Sequence, residues 1–134
     1  MIKNMENKEL YKTEINSKIK DINIEEGSVE FISDNDSDLV LKGYHESDCC
    51  ENVYADFSVL KYYIESIKDK MINEIVIKGV IDMGFLLCLD KIKIFIPCYN
   101  YQNGYYSSNL ELQIKNKEIK TIVNISNFVE DHID

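Results

Sequence analysis

Between Tyr44 and Glu51 the chain reads Y-H-E-S-D-C-C-E, a run holding one imidazole (His45), three carboxylates (Glu46, Asp48, Glu51) and two adjacent thiols (Cys49, Cys50). Three chemistries draw on those types. Thiolate, imidazole and carboxylate all ligate zinc or iron, which makes His45, Cys49 and Cys50 candidate metal ligands. The spacing opposes a shared ion, because adjacent residues of an extended chain point to opposite faces and no C-x-x-C or H-x-x-x-H completes the set. A further ligand would have to come from Cys88, Cys98 or His132. The second chemistry is a nucleophilic Cys49 or Cys50, activated by His45 and oriented by Asp48 or Glu51. Nearby carboxylates oppose it by raising the thiol pKa unless His45 is protonated. The third is structural: His45 and Asp48 bond the backbone of a tight turn, one cysteine packs in the core, and Glu51 pairs with lysine. No member of the set is assigned a catalytic role.

A second stretch, Tyr99 to Ser108, reads Y-N-Y-Q-N-G-Y-Y-S-S. Asn103-Gly104 is a hairpin signal, since both central positions of a type I′ turn need positive φ. Tyr99, Tyr101, Tyr105 and Tyr106 then either pack and pair across strands or line a surface for a ligand or partner, for which tyrosine offers large contact area at low entropic cost.

The elements that must position these residues read mostly as strands. Alternation begins at Ile19 and runs to Glu25, with a turn at Glu26-Gly27-Ser28 and a second strand through Val29 and Phe31. Asp34 to Asp38 is a turn whose side chains can bond their own backbone; the glycine and distal glutamate of a calcium loop are absent. Leu39, Leu41, Gly43 and His45 share one face of the next strand, so His45 points where the leucines point. Val53, Ala55 and Phe57 alternate beyond the dense motif, which therefore joins two strands or bends one. Leu60, Ile64, Ile67 and Met71 recur at helical spacing behind a Ser58 N-cap, predicting one main helix over 58–71. Strands follow at 74–81, 85–89 and 92–99, apolar on both parities as in central strands, with Pro97 marking an edge or bulge. Leu110, Leu112 and Ile114 face inward on the next strand, and Asn116-Lys117 turns into a last strand through Ile119 and Val123. The expected fold is α+β: a mostly antiparallel β-sheet of seven to nine strands, a curled sheet or partial barrel, with one helix. It forms a single domain over residues 1–134, whose ends, 1–17 (with a frayed helix near Glu6 to Lys12) and 128–134, are loose.

Charge and composition exclude some functions. The chain carries a net charge of -9, and its basic residues are all lysine. Without the arginine fork, recognition of phosphate and base edges is disfavoured, so nucleic acid is not the expected partner. No apolar run is long enough for a signal peptide or membrane span, and the four cysteines read as reduced thiols of a cytoplasmic protein. Cys88 and Cys98, inside apolar runs, act as small hydrophobes.

Taken together, Tyr44 to Val53 (Y-H-E-S-D-C-C-E-N-V) and Asn103 to Ser107 (N-G-Y-Y-S) resemble a family of small uncharacterised domains of phages, prophages and bacteria, patterned Y-H-x-x-D-C-C-E-x-V with a later S-N-G-Y-Y-S hairpin. The likeness covers roughly Ile22 to Leu112. This chain departs from it at the turn before the histidine strand and at Pro97-Cys98-Tyr99, where the family carries a tryptophan. The resemblance implies a mobile-element context and suggests that His45, Asp48, Cys49, Glu51, Tyr105 and Tyr106 meet in one site.

These readings lead to a small acidic intracellular binding protein that acts without a cofactor and presents a tyrosine-rich hairpin to a protein partner or small molecule. A homo-oligomer is compatible with it, and a membrane role is not expected. The alternative is a thiol- or metal-dependent enzyme centred on His45, Cys49 and Cys50.

Overall fold

Alternating stretches, three pairs of them joined by two-residue turns, fold into ten strands, and a computed structural model describes residues 8–35, 38–45, 52–102, 109–117 and 119–133. The strands are β1 (Lys8–Glu25), β2 (Ser28–Ser33), β3 (Leu39–Tyr44), β4 (Asn52–Ala55), β5 (Met71–Val80), β6 (Gly84–Leu89), β7 (Ile92–Gln102), β8 (Glu111–Asn116), β9 (Ile119–Asn124) and β10 (Glu130–Ile133). They form one sheet in the order β10-β7-β6-β5-β1-β2-β3-β8-β9, with β4 also on β7. The sheet is not closed. It is mostly antiparallel, and the pairing of β10 with β7 is parallel.

β1 is the shared element. Its first half pairs with β5 and its second half with β2. Between them the register shifts around Asn16, which takes φ +44°. An irregularity of this kind bends a strand and increases its twist, so one chain segment serves both halves of the sheet. The inward residues of the halves, among them Ile75, Ile77 and Leu87 on one side and Phe31, Leu41 and Leu112 on the other, belong to one core. The bend is clamped from the β2–β3 turn. Ser17 Oγ donates to Asp34 Oδ1 at 3.0 Å, the Asp34 N–H donates to the Lys18 carbonyl at 3.1 Å, and Asn35 Nδ2 donates to the Asn16 carbonyl at 3.4 Å. Within that turn Asp38 Oδ1 accepts the Ser33 N–H at 2.9 Å, the bonding to local backbone that its composition predicts.

Several boundaries differ from the sequence reading. Residues 8–17 are neither frayed helix nor loose arm, because β5 supplies the ladder that a polar, weakly patterned segment cannot announce for itself. The main helix shrinks to a 3-10 helix, Phe57–Tyr63, and one α-helical turn, α1 (Ile64–Ile67). α+β therefore fits loosely. Its N-cap is Asp56, whose carboxylate accepts the Ser58 N–H at 3.0 Å, rather than Ser58. The helical path stops because Asp69 adopts φ +66° and the chain docks on β1: Asp69 N–H donates to the Ile19 carbonyl and Ile19 N–H to the Lys70 carbonyl. Met71 then opens β5, 58 % exposed instead of packed on a helix. Phe57, Leu60 and Ile67 carry the burial of this segment, with the Phe57 and Phe85 rings edge-on at 6.0 Å.

β5 and β6 lie in the interior of the sheet, as their two-sided apolar character predicts. The β6–β7 turn at Asp90-Lys91 is tied to β5, since the Asp90 carboxylate accepts the N–H groups of Asn73 and Glu74 at 2.9 and 3.0 Å. β7 runs on past Tyr99 to Gln102 because it gains β4 and β10 where β6 ends. The peptide between Pro97 and Cys98 is bonded on both sides, its carbonyl by the Asp56 N–H and its N–H by the Met83 carbonyl. Opposite Pro97, Gly84 takes φ +142°, and a Cβ there would stand 2.2 Å from the Ile96 carbonyl oxygen. The irregularity expected at Pro97 is therefore a close backbone approach inside a long strand. The C-terminal segment is also used: Phe128 and Val129 are buried and 130–133 form β10.

Candidate functional site

His45 follows β3, in which Leu39 and Leu41 are fully buried while Val40, Lys42 and Tyr44 lie on the other parity. The inward parity passes through Gly43, whose missing side chain leaves room for β4: a Cβ there would lie 3.5 Å from the Ala55 Cβ. His45 is half-buried on that same parity, as the sequence predicts. Its Nδ1 lies 2.5 Å from the backbone carbonyl oxygen of Asn109. A carbonyl can only accept, so Nδ1 carries the proton and the lone pair of the neutral ring sits on Nε2.

Asn109 is itself held. Ser126 Oγ donates to Asn109 Oδ1 at 2.9 Å and accepts the Leu110 N–H at 3.1 Å, while the Ile125 N–H donates to the Leu110 carbonyl at 2.9 Å. Asn124 Oδ1 holds the Ser126 N–H at 2.9 Å. The imidazole therefore rests on a base fixed by the segment after β9. Sequence reasoning placed Asn109 only as an outward-facing residue and did not name Ser126. An Asn-x-Ser run at the end of an alternating strand (Asn124 to Ser126) is a turn signal that could have marked the second.

On the neighbouring strands, Asn52 stands opposite Tyr101, Val53 opposite Asn100 and Tyr54 opposite Tyr99. The Tyr54 and Tyr99 rings lie 5.5 Å apart, tilted by 44°. The bland expectation for Tyr99, cross-strand pairing, is what this contact shows, and the ring is half-buried. Asn100 between them is buried, at 1 % exposure. Across β7, His132 falls opposite Tyr101.

The two unusual stretches thus have neighbouring flanks. His45 enters the first and bonds Asn109, which leaves the second; Asn52 leaves the first and pairs with Tyr101, at the entry to the second. Glu46, Asp48, Cys49, Cys50 and Glu51, and likewise Tyr105 and Tyr106, lie outside the described residues, as does the side chain of Tyr101. Among the described residues no group of three His, Cys, Asp or Glu side chains is placed to hold a metal.

Cys88 and Cys98 are buried free thiols. Burial pushes the Cys98 thiol up to about 12, and its nearest acceptor is the Ile96 carbonyl at 3.8 Å. Cys98 is therefore a neutral, packed side chain. Beside Tyr54 a cleft of about 540 Å³ opens between the β1–β2 turn and the start of the 3-10 helix, lined among others by Glu25, Glu26, Asp56 and Lys61. None of these residues stands out in the sequence, because each belongs to an ordinary turn or cap. Among the described residues no helix is long and apolar enough to cross a membrane.

No family model matches the chain, and neither the curated proteins nor the solved structures contain a match to it.

Proposed function

We propose that the protein is a non-enzymatic binding protein that engages a protein partner or small ligand at the end of the sheet where the segments 46–51 and 103–108 begin and end. The observation that carries this reading is the pair of links between their flanks, His45 to Asn109 and Asn52 to Tyr101. A binding surface assembled from two segments needs a common rigid base, and the bonds among His45, Asn109, Leu110 and Ser126 supply one. The Tyr54–Tyr99 pair, on the strands that carry Asn52 and Tyr101, and the cleft beside Tyr54 offer aromatic contact area. The mobile-element resemblance makes a host protein one class of partner.

Native mass spectrometry of the untagged chain, purified without chelator, tests the reading. The expected result is either added mass of several hundred daltons or a co-purifying protein, in each case lost in a Tyr101→Ala, Tyr105→Ala double variant. A partner or ligand retained unchanged by that variant overturns it.

The same histidine supports a second reading, a thiol- or metal-dependent enzyme using Cys49 or Cys50. The bond from Nδ1 to a backbone carbonyl fixes the ring's tautomer and orientation, as it does for many metal-bound and catalytic histidines. Iodoacetamide separates the two. One cysteine of the 49–50 pair reacting far faster than a free thiol near neutral pH, and slowing in His45→Ala, supports the enzyme; uniform slow labelling supports the binding protein.

A further inference from the structure

The order of strands ends at β9, and among the described residues nothing pairs with its outer edge. β8 and β9 are joined through a two-residue turn between the opposed residues Asn116 and Ile119, with Lys117 at φ +58°. Such a turn closes on a doubly hydrogen-bonded pair, and pairing then alternates. Ile119, Thr121 and Val123 consequently direct their peptide groups toward β8, while Lys120, Ile122 and Asn124 direct theirs outward. All three of the outward residues are exposed, with Ile122 at 52 %. The neighbouring face is rich in lysine beside this edge, with Glu30 and Asp38 on the far side of Lys115. Lys115 stands directly opposite Lys120, a like-charge arrangement that costs stability in a sheet, and among the described residues neither lysine has a carboxylate within ion-pairing range. A third lysine, Lys42, shares the shallow depression that they border.

We infer that β9 pairs antiparallel with β9 of a second copy of this chain, about a two-fold axis at Ile122. This register sets Ile122 against its own counterpart, apolar on apolar, and joins both through their outward N–H and C=O groups. Lys120 then meets Asn124 of the second copy on either side of the axis. Because Asn124 lies opposite Glu111 on β8, the row continues Lys115, Lys120, Asn124, Glu111 from one copy into the other, which sets the Glu111 carboxylate of the second copy two strands from Lys120. The same patch serves on both copies, as a closed two-fold contact requires. Sliding by one pair would put Lys120 against Ile122 and forfeit both matches. An uncovered edge strand invites pairing of this kind, and the two lysines limit it to the partner that answers them.

Analytical ultracentrifugation of the full chain tests the proposal. The expected result is a concentration-dependent dimer whose dissociation constant rises at least tenfold in Ile122→Lys, which sets two ammonium groups on the axis, with the thermal midpoint of the monomer unchanged. Lys120→Glu, set beside Glu111 of the second copy, is the companion variant should the first fail to fold. In register, the two Ile122 Cα atoms stand about 5.5 Å apart, within disulfide range. Ile122→Cys therefore cross-links on oxidation, whereas Ile119→Cys and the wild-type chain with its own cysteines do not. A monomer at all concentrations up to about 1 mM, beyond the range of weak specific association, overturns the inference, as does a dimer indifferent to both charge variants.

Discussion

His45 and Asn109, 64 positions apart in sequence, are joined by a hydrogen bond from the imidazole Nδ1 to the asparagine carbonyl. It spans two strands' ends and fixes the tautomer of a ring at the mouth of the proposed site. Replacing His45 by alanine leaves the Asn109 carbonyl to water and should lower stability by about 1 kcal/mol, the net worth of one such bond. Urea denaturation of His45→Ala and Ser126→Ala should show comparable losses, because each variant loosens the same base. If His45→Ala leaves stability unaltered while abolishing retained mass, the ring contacts the ligand itself.

Phe128 covers Gly79 so closely that a Cβ on the glycine would lie 2.5 Å from the ring. Gly79→Ala should therefore destabilise by about 1–3 kcal/mol through overpacking. Pairing it with Phe128→Leu, which opens the space, should recover part of the loss, and a double-mutant cycle by denaturation reads the coupling.

The turn carboxylate of Asp90 accepts two N–H groups from the start of β5. Asp90→Ala would cost about 2–3 kcal/mol, the more so because Asp90 sits at φ +54°, where a short polar side chain is better tolerated than a methyl. Asp90→Gly separates the causes: it relieves the backbone but not the lost bonds, and should fall between wild type and Asp90→Ala.

Burial holds the folded Cys98 thiol at about 12 against an ordinary value of 9.0. Above pH 9 the unfolded chain releases this proton and the folded chain keeps it, so the unfolded state binds fewer protons and stability falls as pH rises. The slope attributable to this residue is about 1.4 kcal/mol per pH unit between those values. Below pH 9 both states are protonated and the contribution is constant. Cys98→Ala should lower stability at neutral pH by leaving a small cavity yet flatten the alkaline decline, which denaturation series from pH 8 to 11 would resolve. Thiol reagents should reach Cys98 at the global unfolding rate.

Much of the sheet is legible in the sequence because strands with one buried face write their pattern at period two: Leu39 and Leu41 on β3 with His45 just beyond it, and Leu112 and Ile114 on β8 with Leu110 just before it, fall where alternation puts them. The first half of β1 was illegible for the converse reason. Its Glu9, Lys12 and Glu14 report solvent, and its ladder depends on β5, far along the chain. Leu60, Ile64 and Ile67 keep helical spacing, but what ends the helix is the bond of Asp69 to Ile19, a long-range event that no local window contains. At the site, the two chemical stretches announce themselves by residue type, while the nearness of their flanks rests on the pairing of β4 with β7 instead of β3. The base formed by Asn109 and Ser126 rests on backbone contacts, which leave little mark on residue identity.

The bent strand β1 also sets a timetable. Its first half cannot complete a ladder until Met71–Val80 has been made, and β7 lacks one neighbour until Glu130–Ile133 arrives. A ribosome therefore displays the unpaired edge of Lys8–Ser17 until Met71–Val80 has been made. The alternating Lys8, Glu9, Lys12 and Glu14 along that edge are the kind of residues that keep an exposed strand from pairing with a stranger while it waits. Its decisive pairings join segments distant in sequence, the arrangement that slows folding.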